Sequence, residues 1–540
     1  MVLNLDLFNE QYVWVTLIAI ILSYYLATTV HNLYFHPLKV YPGPHFAAAS
    51  RLPITYVTIT GKSAIWVNRL HGIYGRVVRV APDELSYADS RAWNDIYGTL
   101  PGLPSGMKRD PGLFEQFEDE DNRPSFLTSP DDEHLRVRLA YAPAFSRRAL
   151  GEQEPLFIKY ADLAMNKLRG MQGSPVDISG FFFYILFDMV GHLQYGESLG
   201  LLETGSHTVW ADRQAAMAKF ATILAALADI IWIRTLIIHI LSPLSRPARR
   251  ALFKTSNNLI DRRLSSRESN GSDLVGLAFR ESRKGSWRTD RSLSDSDIRA
   301  NAHLLMLAGT ETVSKLLTAL TASLLSDGPA LERLTAEVRG AFEDSSSITF
   351  TSASKLPYLA ACIKESLRLH PPVPGALPRV APDGGAMIAG CWVPGGTRVY
   401  VAMLAATRFS ANFYKPDSFC PERWMEGSAS ASASASASAS ASASASASAS
   451  VSQGQFEFAR DNRAAYQPFS FGQRNCIGQE MSQLVSRLIM CKLLYNFNIE
   501  AVSDMHRWRT DARAYTVWDY APMLVRLTPV DHAVGKEYKD

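Results

Sequence analysis

The sequence predicts a mainly α-helical body with small β-sheets, preceded by one N-terminal transmembrane helix. Three observations carry that expectation. Residues 11–30 hold no charged side chain and include Trp14, Leu17, Ile18, Ile20, Ile21 and Leu22. At about 1.5 Å per residue such a helix crosses a hydrocarbon core of roughly 30 Å. Long helical patterns then dominate 131–368. Short β runs bounded by turns flank them, as in Val77-Val78-Arg79-Val80 and Met523-Leu524-Val525-Arg526-Leu527.

At the N-terminus, Asp6 and Glu10 precede the apolar run, whereas Lys39, Arg51, Lys62 and Arg69 follow it. A cleaved signal peptide would carry the opposite flank, so the run reads as a retained anchor. The excess of positive charge after it predicts a cytoplasmic body and a lumenal N-terminus, as expected for the endoplasmic reticulum. Tyr41-Pro42-Gly43-Pro44 reads as a stiff hinge. The expected organisation is an anchor and hinge over 1–45 and one catalytic body over 46–540. A Ser-Ala alternation at 428–452 interrupts that body; it has no large apolar residue, cannot build a core and reads as a disordered insertion.

Composition excludes several classes. The chain has 540 residues, is 47% hydrophobic and carries a net charge of +3, so no polyelectrolyte footprint supports nucleic-acid binding. Its five cysteines are odd in number and widely spaced, which argues against a disulfide framework and for a reducing compartment. Zinc-type Cys/His pairing is not visible. Within the body, 101–131 is rich in Pro, Gly and charge and reads as a long functional loop. The apolar stretch 221–244, interrupted by Asp229 and Arg234, reads as a helix pair dipping into the membrane interface, with a second span as the alternative.

Three constellations carry chemistry. The first is Phe469-Ser470-Phe471-Gly472-Gln473-Arg474-Asn475-Cys476-Ile477-Gly478. It places a cysteine in a glycine-hinged loop ahead of an apolar helix. Arg474, the N–H groups freed at Gly472 and Gly478, and the helix start are candidate stabilisers of a Cys476 thiolate. Such a thiolate is a suitable axial ligand for haem iron. A buried structural cysteine is the plainer reading. The second is a long helix over 292–326, capped by Ser294 or Asp295 and ended by Asp327-Gly328, which contains Ala308-Gly309-Thr310-Glu311-Thr312. Small residues at Ala308 and Gly309 let a flat ligand approach the backbone. Thr312 opens the helix by bonding a carbonyl one turn back, and Glu311 beside an alcohol can relay protons. A packing notch with a solvent-facing glutamate is the alternative. The third pairs Glu365 and Arg368 on one helical face with a later Pro421-Glu422-Arg423-Trp424 cluster.

Together these motifs resemble the cytochrome P-450 family, the haem-thiolate monooxygenases. The first looks like its haem-binding loop, the second its oxygen-activation motif, the third its Glu-x-x-Arg helix and meander. His36-Pro37-Leu38 with Pro42-Gly43-Pro44 resembles the anchor-to-body junction of fungal microsomal members. Leu85-Ser86-Tyr87 and the stretch from Ala92 to Gly98 look like secondary-metabolism branches such as trichothecene-pathway hydroxylases.

The resemblance implies the cytochrome P-450 fold and haem b, its iron held by Cys476 and the ring by the Phe469–Gly478 loop. It implies that Arg474, His134, Arg138 and Arg379 clamp the propionates, and that Glu311 and Thr312 deliver protons. Glu365, Arg368 and Arg423 become a buried structural lock. It also implies electrons from an NADPH-cytochrome reductase, with a cytochrome b-type donor as an option, O2, and a small apolar substrate. That substrate would lie against Ala308, Thr312, Gly375, Ala376, Leu377 and Val517 or Trp518. Val313-Ser314-Lys315 departs from the small hydroxylated residues usual after the motif threonine. A haem-thiolate isomerase or dehydratase and a non-enzymatic haem protein are the rival readings.

Overall fold

The computed structural model describes residues 10–99, 106–110, 112, 124–206, 208–230, 233, 235, 242–266, 273–283, 293–425 and 457–531. The helix Glu10–Val30 stands clear of the body: Tyr12, Trp14, Ile18, Leu22 and Leu26 have no protein cover. Apolar side chains so displayed need a hydrocarbon partner, and among the described residues this is the one helix long and apolar enough to cross a membrane. The segment after it is docked rather than free. Arg79 N–H donates to the Pro42 carbonyl at 2.7 Å, and a Cβ on Gly43 would lie 2.3 Å from the Arg79 carbonyl oxygen. Close backbone approach is why glycine stands there.

The core is helical. The long helix Asp295–Leu325 begins at a capping box, with the Ser294 hydroxyl accepting from Asp297 N–H and the Asp297 carboxylate accepting from Ser294 N–H. Its end differs slightly from expectation. Ser326 closes it, while Asp327 caps the next helix, Gly328–Ala341, by accepting from Ala330 N–H. The long helix packs along Ile178–Tyr195, whose length is almost wholly buried. Pro357–Leu369 and Gln479–Asn496 pack on its other sides.

The sheets are small, as the short β runs predict. Among the described residues the largest has five strands in the order Val77–Ala81, Glu84–Tyr87, Arg398–Val401, Arg379–Val380 and Lys108–Arg109. Glu84–Tyr87 and Arg398–Val401 run parallel; the other neighbours run antiparallel. A second sheet sets Leu524–Pro529 between Val176–Asp177 and Phe497–Ala501. The larger sheet carries Arg109 and Arg379 on facing strands, in register.

Three expectations fall wholly or partly outside the described residues. The Ser-Ala tract lies wholly outside, as does most of 101–131 and of 230–244. Within the apolar cap, the helix Val209–Ala228 stops at Asp229, whose carboxylate takes a two-pronged contact from Arg398 at 2.8 Å on each oxygen.

Candidate active site

The Cys476 loop is built by close backbone packing. Gly472 has a φ of +77°, and a Cβ there would sit 1.9 Å from the Tyr97 carbonyl oxygen, so only glycine fits. Asn475 N–H closes a turn on the Gly472 carbonyl, and Cys476 N–H donates to the Phe469 carbonyl at 2.9 Å. Gly478 opens the helix Gln479–Asn496 and offers its N–H to the sulfur. Phe469 packs against the main core from the loop's start.

Cys476 keeps exposed surface, yet burial pushes its thiol above the ordinary range, so the sulfur faces an interior space rather than bulk water. The Gly478 N–H and the Arg138 charge pull the other way. The arginine whose charge acts on the sulfur is Arg138. Arg138 grips the same loop, donating to the Asn475 carbonyl and to Asn475 Oδ1 at 2.6 Å each. Arg474 turns to Asp131 Oδ1 at 2.7 Å and the Ser129 carbonyl at 2.9 Å.

A cavity of about 340 Å³ lies along the middle of the long helix. Its wall takes Leu304, Leu307, Ala308, Glu311 and Thr312 from that helix, 373–378 from the segment after Pro357–Leu369, Thr222, Ala225 and Ala226 from the cap helix, and Val517. Ala308 is exposed although its helix runs through the core, because it opens on this space. The Thr312 hydroxyl donates to the Ala308 carbonyl at 2.7 Å, the back-bond that its position predicts. Glu311 is buried and its Oε2 lies 3.7 Å from Lys315 Nζ. Gly309 serves a different neighbour. It does not line the cavity, and a Cβ there would lie 3.0 Å from Val190 Cγ2, so its missing side chain makes room for the helix Ile178–Tyr195. Trp518 is likewise no lining residue; its indole donates to the Pro371 carbonyl at 2.8 Å.

One end of the cavity is ionic, which the sequence reading missed. Arg51 meets Glu84 at 2.8 Å, Asp83 at 2.9 Å and Asp229 at 3.3 Å; Arg398 meets Asp110 at 2.9 Å and Asp229 at 2.8 Å. Burial raises the Glu84 carboxyl, with the two guanidinium groups opposing it. No motif announces these residues; they meet across five separate chain segments.

Glu365, Arg368 and Arg423 converge in the structure. Glu365 and Arg368 are fully buried and bonded twice, at 2.9 and 2.8 Å, and Arg423 Nε donates to Glu365 Oε1 at 3.0 Å. The indole of Trp424 and the N–H of Cys420 fill the remaining Glu365 lone pairs at 2.8 and 2.9 Å. A fourth member was missed: Asp461, buried, pairs with Arg423 Nη1.

Comparison with known proteins decides the family. The family model described as Cytochrome P450 matches residues 67–521. The chain belongs to the cytochrome P450 family. It is accordingly an oxidoreductase of the monooxygenase class. It is 35% identical over 519 residues to the cytochrome P450 monooxygenase aneG of Aspergillus aculeatus, covering 96% of this chain and 92% of that one. It is 35% identical to averantin hydroxylase of Dothistroma septosporum (95% and 90%) and 34% identical to the cytochrome P450 monooxygenase FUM2 of Gibberella moniliformis (92% and 99%).

Cytochromes P450 carry haem with a cysteine thiolate on iron, and work with O2, a substrate and a redox partner. The side chains near Cys476 suit such a dianionic ring. Arg379 is buried, donates only to the Leu377 and Pro378 carbonyls, at 3.4 and 3.2 Å, and lies over the Tyr97 ring. Burial and the Arg474 charge lower it. Arg109, which sequence reasoning did not single out, is pushed down to about 9 by burial and by Arg474 and Arg379. The His134 ring donates from Nδ1 to the Phe126 carbonyl at 2.7 Å, and among the described residues its buried Nε2 makes no hydrogen bond. Burial holds this imidazole down at about 4. Clustered cations with so little carboxylate form an anion cradle.

Proposed function

We propose that this chain is a membrane-anchored haem-thiolate monooxygenase that oxidises an apolar small molecule in fungal secondary metabolism. The body from about residue 46 is one catalytic unit carried by the anchor. It faces the cytoplasm from the endoplasmic reticulum and takes electrons from an NADPH-cytochrome reductase, with a cytochrome b-type protein as an alternative donor. The observation that supports this reading is the convergence of the Cys476 loop with the cluster Arg109, His134, Arg138, Arg379 and Arg474, while Asp110 and Pro378, their chain neighbours, line the cavity that Ala308 and Thr312 wall.

Cys476 supplies the thiolate, and Arg138 with the Gly478 N–H favours its charged form. Bound haem b supplies the iron centre at which O2 is reduced and split. The cradle would neutralise the propionates, with Arg379, whose printed hydrogen bonds go to backbone carbonyls, as one of its cations. Glu311 and Thr312 stand in the cavity wall, where an acid and an alcohol pass protons inward. Leu304, Leu307, Val373 and Leu377 exclude water and hold apolar substrate. Glu365, Arg368 and Arg423 act structurally. Relatives named as monooxygenases and a hydroxylase support oxygenation over isomerisation.

The test is direct. The reduced protein with carbon monoxide is expected to show the red-shifted Soret band of thiolate-ligated ferrous haem, and Cys476→Ser to lose it. Coexpression with the reductase and feeding of metabolite extracts should give NADPH-dependent products heavier by one oxygen. A loaded protein that yields no such product would sink the hydroxylase reading.

A further inference from the structure

The departure at Val313-Ser314-Lys315 places a cation where the family pattern has small hydroxylated residues. Lys315 lies one turn beyond Glu311, and its Nζ stands 3.7 Å from Glu311 Oε2. Glutamate four residues before lysine is the favourable order for such a pair. The Glu311 side chain is 8% exposed and that of Lys315 is 24% exposed, so water screens the contact weakly. Glu311 lines the cavity and Lys315 does not. The ammonium therefore sits behind the carboxylate, on the side away from substrate. The Thr312 hydroxyl hydrogen is committed to the Ala308 carbonyl, which leaves its oxygen able to accept from a donor in the cavity.

We propose that Lys315 is a positioning residue that holds the Glu311 carboxylate in the cavity wall and governs its passage of protons. The inference rests on the reading of Glu311 as the proton-carrying acid. A lone buried carboxyl favours its neutral form, whereas a cation beside it favours the charged form. With Lys315 in place Glu311 waits as a proton acceptor. One proton enters from water, neutralises the carboxylate and loosens it from the ammonium. The same proton then leaves toward the cavity and the ion pair re-forms. Lysine keeps its own proton throughout, and no electron moves.

The experiment uses holoenzyme with its NADPH reductase and compares Lys315→Met, Lys315→Arg, Glu311→Gln and the Met/Gln double variant. Lys315→Gln replaces the methionine variant should that one fail to accumulate. Two readouts are taken: the C–O stretching band of the ferrous carbonyl, which senses charge near the cavity, and hydrogen peroxide released per NADPH oxidised. Lys315→Met is expected to shift the band and to raise the peroxide ratio about tenfold. Lys315→Arg should stay near wild type, and the double variant should match Glu311→Gln alone. A wild-type-like Lys315→Met, or additive effects in the double variant, overturns the role of Lys315. A wild-type protein without the thiolate Soret band overturns the haem-thiolate reading itself, a separate failure.

Discussion

The lock and the cradle are both buried groups of charges, and they are built on opposite principles. In the lock, Glu365 and Asp461 answer Arg368 and Arg423, and the spare guanidinium donors of Arg368 reach the carbonyls of Thr407, Pro416 and Ser418 at 2.9, 2.5 and 2.9 Å. In the cradle, Arg109, Arg138, Arg379 and Arg474 crowd one another, and burial lowers each of them. A saturated, balanced set holds elements together. A set dominated by one sign is completed by an anion from outside. Charge balance thus separates residues that keep the fold from residues that receive a cofactor.

Breaking the lock should have the largest effect. Glu365→Ala leaves two buried arginines short of a partner and should cost about 3–5 kcal/mol. It should yield apoprotein, read by denaturant unfolding and by haem content; a stable, haem-replete variant would refute the structural role. Gly472→Ala tests the loop that joins the two regions. A Cβ meets the Tyr97 carbonyl at a left-handed φ, so a loss of roughly 2 kcal/mol or more is expected, with weaker haem retention. Arg379→Gln sharpens the contrast. Haem should dissociate about tenfold faster, on the scale of one charged hydrogen bond. The apoprotein should be no less stable than wild type, because among the described residues no carboxylate is bonded to Arg379. A destabilised Arg379→Gln apoprotein would place Arg379 with the lock.

The smallest effect is one of pH. His134 titrates near 4 in the fold against an ordinary 6.5, since burial disfavours its charged form. The unfolded chain binds the extra proton, so apoprotein stability is full above 6.5 and falls as pH drops from 6.5 toward 4. His71, buried and also held near 4, adds to the same window. His134→Phe should flatten part of this slope in apoprotein. Haem should flatten it too, because an anion beside Nε2 favours the imidazolium.

Much of this was readable in the chain because motifs are local. The Cys476 loop, the Ala308–Thr312 notch and the Glu365/Arg368 pair each lie within a few residues, and periodicity or turn chemistry places them. What escaped depends on distant segments. Asp461 reaches Arg423 from the far side of the Ser-Ala tract, Arg109 reaches the cradle through strand pairing with Arg379, and Arg51, Glu84, Asp229 and Arg398 meet only in the folded body. Gly309 shows a different gap. A glycine in a helix announces close approach, but not whether a ligand or a neighbouring helix does the approaching.

The position of Asp461 has a consequence for the gene as well as the enzyme. Trp424 and Asp461 bracket the repetitive tract, and the contacts Arg423–Asp461, Lys415–Glu457 and Arg463 with the Arg423 carbonyl staple its two ends to one spot. Closing a loop costs only about 0.6 kcal/mol more for each doubling of its length. A gene encoding a longer or shorter Ser-Ala tract would therefore specify nearly the same folded body.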